Sequence, residues 1–206
     1  MKVLILNGSP RADGNTRAAL EECAAELGRC GVEAELFDMG DGGIPGCRSC
    51  NACAKLGRCV IDDAVNAFAE KLRAADGLIV GTPVYYASPN GSLISFLDRL
   101  FYSCQGDWAH KPAAGVAIAR RSGSVASIDV LNKYFTIAQM PVVSSTYWNN
   151  AFGLRRGESP SDAEGMQTMR NLARNMAWLL KCIALGRENG IAPPKNDRST
   201  STNFIR

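Results

Sequence analysis

The sequence predicts an α/β fold in which a mainly parallel sheet of five strands is covered by helices on both faces. Short apolar runs alternate along the chain with longer segments of helical periodicity, and this is the pattern of successive βαβ units. No proline- or serine-rich linker divides the 206 residues. We therefore expect one domain over residues 1–206, with a cysteine-rich insertion at about residues 40–62.

The strands and helices are placed by their apolar patterns. The predicted strands are residues 2–6, 33–37, 77–81, 113–119 and 142–147. The predicted helices are residues 16–29, 63–74, 92–103, 125–138 and 163–185. A strand order of 2-1-3-4-5 would place a ligand beyond the carboxyl ends of strands one and three, where the order reverses. The loops after Leu6 and Gly81 are therefore the first candidates for a site.

The charge and hydropathy of the chain exclude several classes of partner. The net charge of +3 comes from 23 basic and 20 acidic residues spread along the whole sequence, so we expect neither a nucleic-acid nor a membrane partner. The first apolar run is too short for a signal peptide, and a cytoplasmic location is expected. In a reducing compartment, eight cysteines favour metal binding or catalysis over a disulfide framework.

The loop after the first predicted strand is suited to a phosphate group. Residues 8–16 join a strand to a helix and contain glycines, hydroxyls, an amide and a guanidinium. Backbone N–H groups at a helix N-terminus bind anions, and the helix dipole strengthens the attraction. The loop has no G-x-G-x-x-G motif, and Asn15 stands where a P-loop has lysine. A terminal monophosphate is favoured, with an ordinary βα turn capped by Ser9 as the alternative.

The loop after the third predicted strand is suited to a flat ring system. Tyr85 and Tyr86 lie on a proline-stiffened segment after the most apolar strand. A flavin requires flat apolar partners for its ring faces, which tyrosines supply. Paired tyrosines that bury their rings and keep their hydroxyls in water are the alternative. The position at the point where the strand order reverses favours the flavin.

These segments together resemble the flavodoxin-like NAD(P)H-dependent FMN reductase family. The likeness rests on Gly-Ser-Pro-Arg at residues 8–11 with Gly-Asn-Thr at 14–16, on Thr-Pro-Val-Tyr-Tyr at 82–86, and on Phe-Leu-Asp-Arg at 96–99. Residues 119–123 resemble the third flavin-contacting loop of the family. Residues 147–149 and 202–206 are also similar, so the resemblance covers most of the chain.

The resemblance implies a flavodoxin-like three-layer sandwich that binds FMN as a homodimer or homotetramer, with NAD(P)H as a possible electron donor. No catalytic side chain is required, because the flavin carries the chemistry. The implied phosphate-side residues are Ser9, Arg11, Gly14, Asn15 and Thr16. The implied ring-side residues are Pro83, Val84, Tyr85, Tyr86, Ser88, Ala119, Arg121 and Gly123.

Four cysteines within 13 residues form a second motif, with the spacing Cys47-x2-Cys50-x2-Cys53-x5-Cys59. Three thiols at two-residue gaps wrap one face of a cuboidal cluster and a fourth closes it, as in bacterial ferredoxins. The motif also resembles the iron–sulfur flavoproteins, a branch of the same family in which a [4Fe–4S] cluster accompanies FMN. Zinc held by four thiolates, or no metal, are the alternatives. The cysteines given no role are Cys23, Cys30, Cys104 and Cys182.

Three functions are compatible with these motifs. The favoured one is an oxidoreductase that exchanges electrons between FMN and a [4Fe–4S] cluster, and then with ferredoxin or another small carrier. The second is a cluster-free NAD(P)H reductase that passes hydride through FMN to quinones or other small-molecule acceptors. The third is a non-enzymatic FMN-binding module with structural zinc. The sequence specifies neither the physiological donor nor the direction of electron flow.

Overall fold

The computed structural model of the chain describes residues 1–197, 199–202 and 204. Residues 203, 205 and 206 of the family-like terminal segment lie outside the described residues. The strands are β1 (Lys2–Asn7), β2 (Glu33–Asp38), β3 (Gly77–Tyr85), β4 (Ser88–Pro89), β5 (Ala113–Ala119) and β6 (Asn150–Phe152). The helices are α1 (Asn15–Arg29), α2 (Cys53–Leu56), α3 (Ala64–Arg73), α4 (Gly91–Ser103), α5 (Ser124–Ile137) and α6 (Ala163–Glu188), with a 3-10 turn at Ser159–Ser161.

The sheet has the strand order β2-β1-β3-β5-β6, and all of these pairings are parallel. The short strand β4 pairs with the end of β3 in an antiparallel hairpin. With the short strand β4 left out of the count, β5 and β6 are the fourth and fifth strands, and the order is the predicted 2-1-3-4-5. This order confirms the flavodoxin-like fold class. Asn7 pairs with Gly81, so β1 and β3 end side by side. The loops that follow them consequently meet at one edge of the sheet.

Apolar side chains fill a layer on each face of the sheet. One layer contains Phe68 of α3, Phe96 of α4 and Phe135 of α5, and all three rings are completely buried. The opposite layer contains Leu20 of α1 and Leu172 of α6, which are equally buried. The sheet is thus covered on both faces, as the alternating pattern predicted.

The last helix is fastened to the edge of the sheet at its start. The Asp162 carboxylate accepts hydrogen bonds from Gly165 N at 2.9 Å, which caps α6, and from Phe152 N at 2.8 Å, which ties β6 to the helix. Further along, Arg174 pairs with Glu26 of α1 at 2.6 Å. Although α6 has 26 residues, no helix in the described part of the chain is long and apolar enough to span a membrane.

The predicted position of the edge strand was wrong. Of residues 142–147, only Val142 pairs with the sheet, in an isolated bridge to Ala113, and the strand forms instead at Asn150–Phe152 beside the end of β5. Val-Val-Ser-Ser-Thr-Tyr has the composition of a strand, but the Ser145 hydroxyl donates to the Tyr147 carbonyl at 2.7 Å. Such local side-chain bonds compete with a strand ladder.

The ends of β1 and β3 approach so closely that only glycine fits at position 8. Gly8 N donates to Gly81 O at 2.8 Å, and a Cβ on Gly8 would lie 2.5 Å from Leu93 Cδ2 and 2.7 Å from the Gly81 carbonyl oxygen. The backbone oxygen is held by the sheet and cannot give way. This contact fixes the spacing of the two loops that follow.

We expect Gly8→Ala to lower the free energy of unfolding by about 1–3 kcal/mol, because the new methyl group overpacks this contact. Urea denaturation measures the change. Gly28→Ala is the matched control: Gly28 lies in α1 with no atom near its potential Cβ, so the substitution should stabilise by about 0.4–1 kcal/mol. A Gly8→Ala protein as stable as the wild type would contradict the close approach.

Candidate functional site

A pocket of about 150 Å³ opens where β1, β3 and β5 end. This is the edge at which a doubly wound parallel sheet binds its ligand. The structure brings eight of the predicted cofactor residues to its lining: Ser9, Arg11, Gly14, Asn15, Thr16, Pro83, Val84 and Tyr85. The lining is completed by Arg120, which belongs to the predicted third loop, and by four residues that sequence reasoning did not single out: Ile118, Gly153, Leu154 and Arg156.

The phosphate-side loop is held in shape by its own hydrogen bonds. Ser9 is buried, and its hydroxyl accepts from Arg11 N at 3.1 Å. No side chain caps α1 at Gly14, so the first N–H groups of the helix are not bonded to a cap. Thr16 is 2% exposed, and its hydroxyl has no hydrogen-bond partner among the described residues. A partnerless hydroxyl beside a helix N-terminus in a pocket fits a phosphate oxygen.

Asn15 has a different neighbourhood from the one predicted. Its side-chain amide donates to the Arg155 carbonyl at 2.8 Å and accepts from Ser159 N at 3.1 Å. A Cβ on Gly153 would lie 2.7 Å from Asn15 Nδ2, so the segment after β6 sits directly against this amide. Arg156 of the same segment pairs with Asp13. Asn15 therefore fastens a wall of the pocket that only the three-dimensional fold brings near the first loop.

The two predicted tyrosines differ in position. Tyr85 lines the pocket and is partly exposed. Tyr86 is fully exposed at the tip of the β3–β4 hairpin, with a φ of 57° that is unusual for a residue with a side chain. Ser88 is exposed on the other side of the same hairpin. Tyr86 and Ser88 lie outside the pocket lining, and their contacts with a flavin remain predictions.

The third predicted loop, residues 119–123, approaches the end of β3 at Gly123. Gly123 precedes α5 with a φ of 88°, and a Cβ there would lie 2.9 Å from Val84 Cγ1. Ala119 is buried at the end of β5. Of the two neighbouring arginines, Arg120 lines the pocket, while the predicted Arg121 is exposed outside the lining. Roles in flavin binding for Ala119, Arg121 and Gly123 likewise remain predictions.

Asn90 links the first two loops. Its side-chain amide donates to the Gly8 carbonyl at 2.8 Å, and its backbone N donates to Thr82 Oγ1 at 3.1 Å. The same side chain caps α4, because Asn90 Oδ1 accepts from Ser92 N at 3.2 Å. Sequence reasoning missed this residue, although an asparagine directly before a predicted helix is a signal for a cap.

The four motif cysteines line a second, narrower cavity of about 20 Å³. Cys47 and Cys50 are exposed, Cys53 and Cys59 are half-buried, and all four are free thiols. The cavity has room for about one water molecule. No three His, Cys, Asp or Glu side chains in the described ranges lie in an arrangement that could hold a metal ion. The thiols thus face one cavity without having the geometry of a closed metal site.

The backbone around Cys50 has an unusual conformation. Ser49 and Asn51, on either side of it, both have left-handed φ values, 51° and 55°. Residues with side chains adopt this region in only a few per cent of cases. The chain on both sides of Cys50 therefore departs from ordinary helical and extended conformations.

A buried arginine holds the cysteine segment to the fold. Arg99 of α4 is 1% exposed; its Nη atoms donate to both carboxylate oxygens of Asp63 at 2.7 and 2.8 Å, and its Nε donates to Cys59 Sγ at 3.2 Å. It also donates to the carbonyls of Pro45 and Ile61. Burial lowers the pKa of Arg99, but the hydrogen bonds and charges of Asp63 and Cys59 together outweigh burial, so the pKa is raised overall. Arg99 belongs to the Phe-Leu-Asp-Arg motif, to which the sequence assigned no role.

Asn66 of α3 adds a second hold on Cys59. Its Oδ1 accepts from Cys59 N at 3.1 Å, and its Nδ2 donates to Cys59 O at 3.0 Å. The backbone and the sulfur of Cys59 are thus held by α3 and α4 respectively. By contrast, Cys47 and Cys50 lie on exposed chain outside any helix.

Two cysteines outside the motif are buried thiols. Burial raises the pKa of Cys23 to about 12, so it stays protonated at neutral pH. Burial also raises the pKa of Cys104, although Arg73 Nη2 donates to its sulfur at 3.3 Å. Neither lines the cavity of the motif cysteines.

A pocket at the carboxyl edge of a 2-1-3-4-5 parallel sheet is the arrangement of flavodoxin-like proteins. The chain belongs to the NADPH-dependent FMN reductase family, whose model matches residues 1–154, and it is an FMN-dependent oxidoreductase.

Relatives named as iron–sulfur flavoproteins place the chain in that branch of the family. An iron–sulfur flavoprotein of Methanocaldococcus jannaschii is 31% identical over 191 residues, 89% of this chain and 99% of the relative. An iron–sulfur flavoprotein of Methanosarcina thermophila is 29% identical over 193 residues, 91% of this chain and all of the relative. The predicted family and branch are confirmed.

A solved structure has the same fold. RosB with bound 8-demethyl-8-formylriboflavin-5'-phosphate superposes with a TM-score of 0.69 at 18% identity, covering 100% of this chain and 94% of that chain. At this identity the likeness supports the fold alone.

We expect Thr16→Ala to weaken FMN binding by about 1.5–3 kcal/mol, because it removes a hydroxyl donor to a charged phosphate. A fluorescence titration of the flavin-free protein measures the affinity, and circular dichroism checks that the fold is intact. Thr16→Ser keeps the hydroxyl and should retain most of the affinity. Equal affinities for the wild type and Thr16→Ala would place the phosphate elsewhere.

Proposed function

We propose that the protein transfers electrons between FMN and a [4Fe–4S] cluster held by Cys47, Cys50, Cys53 and Cys59, and on to or from ferredoxin or another small electron carrier. The observation that carries the proposal is that all four thiols of this ferredoxin-like run line one cavity. The names of the two archaeal relatives support the same class of protein.

The flavin side of the proposal depends on the pocket beside β1 and β3. Thr16 and the N–H groups at the start of α1 would bind the phosphate, and the segment of Pro83, Val84 and Tyr85 would flank the ring. Arg120 adds a positive charge to the lining. Bound flavin supplies one- and two-electron chemistry, so the chain has to position it and limit access of water.

The cysteine side requires some movement of the chain. A cuboidal cluster is larger than a cavity with room for one water molecule, and no three potential ligands among the described residues are arranged for a metal ion, so the sulfur atoms have to change position when a cluster is inserted. Cys47 and Cys50 are exposed and lie outside any helix, whereas Cys59 is held by Arg99 and Asn66. We infer that Cys59 is the fixed ligand and that the triplet closes around the cluster.

A cluster-free NAD(P)H-dependent reductase acting on quinones is the second candidate. It is supported by the reductase family to which the chain belongs. The non-enzymatic alternative is not retained, because the family is one of oxidoreductases. A single domain, a homodimer or homotetramer, and a cytoplasmic location remain predictions.

Cys50→Ala should abolish the cluster and leave FMN bound, because the cysteine segment and the phosphate loop are separate parts of the chain. Iron and flavin analysis of anaerobically prepared protein measures both. Reduction of an artificial acceptor through FMN should persist, while electron exchange with ferredoxin should fall sharply.

Cys182→Ala is the control for Cys50→Ala, since Cys182 is exposed but outside the motif. It should retain iron and ferredoxin exchange at wild-type levels. If Cys50→Ala exchanged electrons with ferredoxin at the wild-type rate, the cluster would not be on the path.

A further inference from the structure

We propose that Arg99 and Asp63 are positioning residues that hold Cys59 as a cluster ligand and set the reduction potential of the cluster through their opposite charges. This rests on the proposed function, because it assigns supporting residues to the same cysteine site. The contacts come from two helices of the main fold, α3 and α4, and not from the cysteine segment itself.

The contacts of Arg99 enclose the segment from both sides. Pro45 precedes the first motif cysteine and Ile61 follows the last, and the carbonyls of both accept from the guanidinium, at 3.3 and 3.0 Å. Between them, Cys59 Sγ accepts from Nε at 3.2 Å. One buried group therefore fixes the two ends of the segment and one of its sulfur atoms.

Asp63 determines which nitrogen faces the sulfur. Its two oxygens accept hydrogen bonds from Nη1 and Nη2 of Arg99, so Nε is the nitrogen that remains to donate to Cys59 Sγ. The carboxylate is itself anchored, because Oδ1 accepts from Val65 N at 3.0 Å and caps α3. The side chain of Asp63 is 24% exposed and that of Arg99 is 1% exposed. The orientation of the guanidinium is thus fixed by the start of a helix.

The charges of the pair act on a cluster in opposite directions. One-electron reduction adds a negative charge beside Cys59, and hydrogen bonds and charges near the sulfur atoms set the potential of such a cluster. The guanidinium stabilises the reduced form, and the carboxylate opposes it. Because Arg99 is buried, solvent screens its charge only weakly.

The sign of the shift separates this role from a merely structural one. If the pair only supported the chain, removal of either partner would disturb the site in the same way. If the pair acts through charge, Arg99→Gln lowers the midpoint potential of the cluster and Asp63→Asn raises it. Arg99→Lys keeps the positive charge but cannot donate to Asp63 and Cys59 at the same time through a planar guanidinium. The midpoint potential of the cluster in this variant should therefore lie between those of the wild type and Arg99→Gln.

Arg73→Gln provides a matched control. Arg73 also donates to a sulfur, at 3.3 Å, but that sulfur belongs to Cys104, which does not line the cavity. The contact of Arg73 with the cysteine segment is with the Gly57 carbonyl, at 3.1 Å, and not with a sulfur of the motif. Its side chain is 33% exposed, so water screens its charge. We expect a smaller shift for Arg73→Gln than for Arg99→Gln.

The experiment is a redox titration of the anaerobically prepared holoprotein, monitored by electron paramagnetic resonance, with iron and sulfide analysis of each variant. A lower midpoint potential of the cluster in Arg99→Gln and a higher one in Asp63→Asn support the proposal. Shifts in the same direction, or none, at wild-type iron content overturn it. If Arg99→Gln loses its cluster, the midpoint potential of Asp63→Asn is the test. A potential above that of the wild type supports the proposal, and an unchanged or lower potential overturns it.

Failure of the proposed function gives a different result. Wild-type protein that contains zinc and no iron would contradict the cluster, and cobalt(II) would then be titrated into metal-free protein while its thiolate absorption is followed. Weaker cobalt binding by Arg99→Gln than by Arg73→Gln would still support positioning of Cys59. Equal binding by the two variants would overturn it.

Discussion

The hydrogen bond from the Asn90 side chain to the Gly8 carbonyl, 2.8 Å long, fixes α4 against the end of β1, and both sites depend on the placement of this helix. At its start, α4 supports the phosphate-side loop. At its third turn, it presents Arg99 to Cys59. Asn90 and Arg99 are nine positions apart, about 14 Å of helix. One rigid element therefore relates the pocket beside β1 and β3 to the cysteine cavity.

The two sites differ in how firmly they are built. The pocket beside β1 and β3 is formed by the ends of buried strands, where Gly8 and Gly81 are joined by a backbone hydrogen bond. Arg99 holds both ends of the cysteine segment, and Asn66 adds a second hold on Cys59, while the first two motif cysteines are exposed. This contrast fits the proposal of a preformed pocket for the nucleotide beside a cysteine segment that rearranges when a cluster is inserted.

The sequence predicted what depends on local pattern and could not predict what depends on distant contacts. Alternating apolar periods predicted the parallel sheet and its covering helices, the resemblance to the flavodoxin-like family implied the strand order, and short motifs predicted the phosphate loop and the cysteine run. The wall formed by Gly153 and Arg156 was missed because it meets Asn15 only through the fold. The edge strand was misplaced because a serine hydroxyl diverts residues 142–147 from the ladder. Arg99 reaches Cys59 across 40 positions, and no local signal indicates that contact.

We propose that one chain holds both a flavin and an iron–sulfur cluster. Quantitative analysis of flavin, iron, sulfide and zinc in anaerobically purified wild-type protein tests it most directly. We expect FMN together with iron and sulfide in equal amounts, and little zinc. Stoichiometric zinc with neither iron nor sulfide, or FMN with no metal at all after reconstitution, would contradict it.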